Sequence, residues 1–217
     1  MSSKKSSKKN SPQKKIHNIK KEWNNERYQD YGIEKTVRLF LTIFQYFTVN
    51  MYLRIFFSTK KERHQNYVID FYILSKTFFP LIILGTGLYN NHFFIFLAAY
   101  FSLETIFYIM TLIFVGHLFA KNRSYKRVVI LLFFNYIEIV LNFAVLYGGL
   151  NCLGQKAHSV IDYIYFSFIT ATAIGFGDII PITSLGKVFV CIQSIFFLMF
   201  VVIFLSYFGS KIEHRKN

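Results

Sequence analysis

The sequence predicts an all-α membrane protein. Three observations carry this: five apolar stretches of membrane-spanning length, a composition that is 53% hydrophobic and 20% aromatic, and basic residues gathered in the breaks between stretches. With 27 Phe and 15 Tyr in 217 residues, the chain holds more bulky apolar surface than one soluble core of this size could enclose, so lipid must be part of the solvent. Two cysteines, Cys152 and Cys191, are too few and too far apart for a disulfide framework or a zinc site. The histidines, at 17, 64, 92, 117, 158 and 214, show no metal-ligand spacing and no polar catalytic cluster surrounds them, which argues against an enzyme.

The first element is a basic arm, residues 1–33. Eight lysines fall within its first 21 residues, at positions 4, 5, 8, 9, 14, 15, 20 and 21, and no acidic residue precedes Glu22. Such a segment buries nothing and repels itself, so disorder in the cytoplasm is expected. No apolar core follows at signal-peptide distance. Each lysine near an anionic headgroup surface is worth about 1 kcal/mol, which makes membrane lipid the expected partner. The lysine run lacks interleaved aromatics and a folded module to present it, so no nucleic-acid partner is expected.

Residues 34–120 form a set of peripheral membrane helices, with stretches 36 to 57, 67 to 89 and 92 to 119. The remaining stretches are 127 to 150 and 186 to 208. About 20 residues at about 1.5 Å each cross a hydrocarbon core, and all five reach that length. Lys60, Lys61 and Arg63, and then Lys121, Arg123, Lys126 and Arg127, occupy breaks that the positive-inside rule places in the cytoplasm, while the uncharged Asn90 and Asn91 turn faces outside. A crossing at 36 to 57 would put the lysine arm outside. That stretch is flanked by Arg38 and Arg54 and diluted by Thr42, Gln45, Thr48 and Asn50, so it reads as an interfacial or re-entrant helix, with a fifth crossing as the alternative.

Lys76 lies about 13 Å along its span, a depth similar to that of Glu104 on the returning span, so an intramembrane ion pair is expected there, with Glu138 near the same level. Its role is either structural or regulatory. Gln193 and Ser194, polar residues in an apolar span, face either a central cavity or another helix.

Between the last two spans lies a shorter apolar segment, 159 to 174, followed by glycines at alternate positions. Residues 162 to 187 read DYIYFSFITATAIGFGDIIPITSLGK. A half-length helix ending at Ala173 is expected, and Gly175 and Gly177 open backbone conformations closed to other residues. Non-helical backbone at membrane depth survives only inside protein or around a watery cavity. The IGFG run could aim carbonyl oxygens at a common axis, with the negative end of the short helix pointing the same way, an arrangement suited to a monovalent cation.

Here the chain resembles the potassium channel family, whose filter is written T-V-G-Y-G or T-I-G-F-G followed by Asp. The resemblance is strong over 162 to 187 and extends more loosely from about Arg127 to Ser210. It implies a pore module at 127–210 made of outer helix, pore helix, filter and inner helix, with 211–217 as a short cytoplasmic tail. The implied filter is Thr172, Ala173, Ile174, Gly175, Phe176 and Gly177, with K+ held by the backbone carbonyls of Ala173, Ile174, Gly175 and Phe176. Asp178, Tyr165 and Phe166 would support it, and Pro181, Thr183, Gly186 and Lys187 match the run into the inner helix. A homotetramer follows from the resemblance, because one loop cannot enclose an ion.

The expected function is passive, K+-selective conduction in a multi-pass cell-membrane protein with both termini in the cytoplasm and no cofactor beyond the permeating ion. Three departures qualify the pattern. Ala173 stands where the family has the Thr whose hydroxyl lines the innermost ion site, Phe197 stands where many members have a hinge glycine, and no span carries an arginine ladder. The first motivates an alternative: a weakly selective cation channel, or a silent subunit that needs a partner.

Overall fold

A computed structural model describes residues 33–44, 48, 49, 52, 56, 62–115 and 125–214. The basic arm up to residue 32, most of the second half of the 36 to 57 stretch, the break at 116 to 124 and residues 215 to 217 lie outside them. Among the described residues the regular elements are helices: α1 (Ile33–Phe44), α2 (Glu62–Gly85), α3 (His92–Val115), α4 (Tyr125–Gly149), α5 (Val160–Ala171) and α6 (Ser184–His214), with a short 3₁₀ turn at Leu88–Asn90.

Among the described residues, four helices are long and apolar enough to cross a membrane, through Tyr67–Gly85, His92–Thr111, Arg127–Gly149 and Ser184–Leu205. The 12 residues of α1 reach only about 18 Å at the helical rise. Its apolar side meets α3, where Phe44 stacks on Phe107 with ring centroids 3.5 Å apart, and Leu41 is buried. The last helix runs past the predicted end at 208 to His214, so residues 211 to 214 are helical. Loss of hydropathy marks the end of the apolar layer; nothing in Ser210–His214 breaks a helix, since proline is absent and the last glycine is Gly209.

α4 is the centre of the molecule. Helices α2 and α3 pack along it from one side, α5 and α6 from the other, and within one chain 61% of its span is buried against 11% of the α6 span. Two stripes of α4 explain this. Asn135, Glu138 and Asn142 recur at helical spacing on one face and are all buried, while Tyr136, Val140, Phe143 and Tyr147 recur on another. Near its N-terminal end, Arg127 grips Asp70 of α2 through Nη2 to Oδ1 at 2.7 Å and Nε to Oδ1 at 3.1 Å.

The return from α5 to α6 is tied to the end of α4. Ile182 N–H donates to the Cys152 carbonyl at 2.9 Å, and Gly154 N–H to the Ile180 carbonyl at 3.0 Å, with Leu153 and Pro181 bridged between them. α6 then starts at a threonine cap: Thr183 Oγ1 accepts from Gly186 N–H at 3.0 Å. A Cβ on Gly186 would lie 3.0 Å from Cys152 Cβ and 3.1 Å from its carbonyl oxygen, so the approach of the inner helix to the turn requires glycine there.

Candidate functional site

The short helix α5 is fixed at both ends by local chemistry. At its start Ser159 and Asp162 form a capping box: Asp162 N–H donates to Ser159 Oγ at 3.3 Å, and Ser159 N–H to Asp162 Oδ2 at 2.8 Å. The Ser159 and His158 amides hold the Asp162 carboxyl below the usual carboxylate range. At its end the helix stops at Ala171, two residues before the predicted Ala173. Thr172 is the cap. Ala173 N–H donates to the Thr170 carbonyl at 3.1 Å and Ile174 N–H to the Ile169 carbonyl at 3.0 Å, the paired bonds of a Schellman ending.

That ending places its next residue in the left-handed region, and here the residue is alanine: Ala173 has φ 55°. Glycine usually fills this position because a Cβ there costs about 1–2 kcal/mol. Gly175 and Gly177 follow with φ 57° and 78°, while Ile174 and Phe176 between them are not in the positive-φ region. Residues 173 to 177 thus alternate in backbone hand. The alternation explains why glycine recurs at every second position, and why the position before Ile174 tolerates alanine better than a β-branched residue.

Residues 172 to 178 are exposed within one chain, including the apolar Ile174 and Phe176. Their carbonyls are not consumed by a sheet or by the helix. Thr172 Oγ1 donates back to the Phe168 carbonyl at 2.8 Å, so its hydroxyl closes the last turn of α5. Tyr165 donates to Asp178 Oδ2 at 2.8 Å, joining α5 to the segment after the glycines, and this bond holds the Asp178 carboxyl below the usual range. Phe166 is buried edge-on against Tyr147, with centroids 4.9 Å apart.

Three further contacts hold α5, of which the sequence anticipated only the third, as one of two roles open to Gln193. Tyr136 of α4 donates to the Ala171 carbonyl at 2.6 Å, satisfying one of the orphan acceptors at the C-terminus of α5. Ser167 donates to the Val140 carbonyl at 2.6 Å. Gln193 of α6 donates to the Ser167 carbonyl at 3.0 Å and to its Oγ at 2.8 Å, and accepts from Tyr147 at 2.9 Å. Of the two roles open to Gln193, the side chain therefore takes the interhelical one and is buried in the chain; Ser194 donates to the Val190 carbonyl of its own helix. The sequence signal for Gln193 was its polarity in an apolar span, which marks a site without giving its direction.

On the opposite face of α4 lies a buried ionic cluster. Lys76 Nζ is 3.1 Å from Glu104 Oε2, 3.3 Å from Glu138 Oε1 and 2.6 Å from Thr105 Oγ1, so its three protons have three acceptors. Thr105 in turn donates to Glu138 Oε2 at 2.9 Å, Asn142 to Glu138 Oε1 at 3.2 Å, and Tyr72 to Glu104 Oε2 at 2.7 Å. Glu138 thereby links α2 and α3 to the same stretch of α4 that holds α5.

Helix, glycine-alternating loop and second helix follow one another in the order of a pore. Residues 126–214 match the family model described as an ion channel. Over these residues the chain is similar to an ion channel. A curated relative, two pore potassium channel a of Oryza sativa subsp. japonica, is 33% identical over 75 residues, which is 34% of this chain and 21% of the relative. The match spans about a fifth of the relative's length, and no solved structure matches the chain. α4, α5 and α6 fall in the matched region, in the places that the sequence resemblance gives to an outer helix, a pore helix and an inner helix. Helices α1 to α3 lie outside the matched region.

Proposed function

We propose that the chain is a subunit of a potassium-selective channel that conducts passively. The observation that carries this reading is the alternation of backbone hand at Ala173, Gly175 and Gly177, directly after the C-terminus of a half-length helix. Alternating hands let successive carbonyls of Ala173, Ile174, Gly175 and Phe176 face one side, where together with the negative helix end they replace the hydration shell of a monovalent cation. One chain supplies one wall. Four copies around an axis would close the cage, and they would cover Ile174, Phe176 and the outward face of α6, which carries Val188, Ile195, Leu198, Val202 and Leu205. The relative's name, a potassium channel, supports K+ as the ion.

The pore helix enters from the outside in this reading. Both termini are then cytoplasmic, the lysine arm lies beside anionic headgroups, and the membrane is the cell membrane. Ala173 supports a second reading: without a hydroxyl ring at the innermost site, the channel is weakly selective or needs a partner subunit. K+ flux and reversal potential of the purified protein in liposomes separate the two. Selective flux blocked by barium supports the first, and equal K+ and Na+ permeability supports the second.

A further inference from the structure

Gln193 bonds to both of the helices it lies between. It sits 1% exposed on the inner helix, receives the Tyr147 hydroxyl of the outer helix, and gives both amide protons to Ser167 in the middle of the pore helix. Ser167 passes the connection on to the Val140 carbonyl at 2.6 Å. An amide is suited to this position because it offers an acceptor to one neighbour and two donors to the other, and in an apolar layer the alternative to each bond is an unsatisfied polar group. Ser167 lies one turn before Ala171, whose carbonyl receives Tyr136, and the first filter carbonyls follow two residues later.

A displacement of α6 at Gln193 would therefore be passed to α5 through two hydrogen bonds to one residue, without an intervening flexible segment. Apolar contacts between the same helices, such as Phe189 edge-on to Phe143 and Tyr147, allow sliding; the paired bonds to Ser167 do not. Phe197, where a hinge glycine would fall, has no special backbone freedom.

We propose that Gln193 is the positioning residue that couples the inner helix to the selectivity filter, acting through Ser167, so that the geometry of the filter and not a bend in the inner helix responds to movement of α6. This rests on the channel reading above. The proposal distinguishes two arms of one side chain. The Ser167 arm sets the filter; the Tyr147 arm anchors α6 to α4.

The test compares Gln193→Met, Ser167→Ala and Tyr147→Phe in the full chain, by backbone hydrogen exchange of the pore-helix end and by K+/Na+ reversal potential in liposomes. Gln193→Met and Ser167→Ala are expected to speed exchange of the amides at 171 to 175 about tenfold, the equivalent of one hydrogen bond, with exchange in α2 and α3 unchanged. Both should reduce K+ over Na+ selectivity. Tyr147→Phe should do neither. Wild-type exchange at 171 to 175 in Gln193→Met overturns the proposal, as does a change of equal size in Tyr147→Phe; if Gln193→Met does not fold, Ser167→Ala decides on the same criteria. Exchange is read without conduction, so absence of K+ flux in the wild type would refute the channel reading while leaving the coupling of Gln193 to α5 to be judged by exchange.

Discussion

The hydroxyl of Tyr136 donates to the carbonyl of Ala171 at 2.6 Å, joining the outer helix to the last residue of the pore helix. Two residues on, Glu138 receives Lys76 on the other side of the same helix. A single stretch of α4 thus holds the end of α5 on one face and the buried ion cluster on the other.

Tyr136→Phe isolates the first of these contacts. The ring also stacks on Phe200 with centroids 4.4 Å apart, and phenylalanine retains that packing. The loss is expected to be about 1 kcal/mol, and more if the Ala171 carbonyl finds no water. Thermal unfolding in detergent measures it.

Ala173 gives a prediction in two directions. Replacement by glycine removes a left-handed penalty of about 1–2 kcal/mol and adds about 0.5–1 kcal/mol of chain entropy, leaving a net gain of about 0–1.5 kcal/mol per chain. Replacement by threonine restores a hydroxyl but places a β-branched residue at φ 55°, so stability falls while single-channel conductance rises. An unchanged conductance in Ala173→Thr would show that the hydroxyl ring does not limit the wild-type pore.

Lys76→Met leaves Glu138 buried beside two neutral donors, Thr105 and Asn142, and is expected to destabilise by about 3–5 kcal/mol. Lys76→Met combined with Glu138→Gln should recover only part of that loss, because Glu138 is then neutral while the buried Glu104 keeps its charge beside Tyr72. A double mutant as unstable as the sum of the singles would mean that the two groups do not act as a pair.

The Tyr165 bond lowers the Asp178 carboxyl, so the native state favours the ionised form. Its contribution is present above the ordinary carboxylate range, near pH 4, and is lost as pH falls through the lower native value. Pore behaviour dependent on this contact should therefore be constant from neutral pH down to about pH 4. In Tyr165→Phe the acid limb should move upward. Reversal potentials measured across external pH in both proteins check this.

Much of this architecture can be read from the sequence because membranes impose length and polarity rules. Among the described residues, the four helices long and apolar enough to cross were legible from apolar length, and the order helix, half-helix, glycines, helix from the motif. The end of the pore helix at Ala171 does not, because a Schellman ending on alanine runs against the preference for glycine, and only tertiary support from Tyr136 and Ser167 shows why it forms there. Gln193 illustrates the same limit: polarity marks a position, but whether an amide faces a cavity or a neighbour depends on which side of α6 meets α5. The inner helix runs on beyond its apolar stretch because helix formation and hydropathy are different properties.

The central claim is that backbone carbonyls at 173 to 176 select K+. Its most direct test is the reversal potential of the purified chain in liposomes under opposed K+ and Na+ gradients, with barium as the blocking control. The account predicts a potential that follows the K+ gradient and a current that barium removes. A potential near zero under those gradients, or barium-insensitive flux, would contradict it.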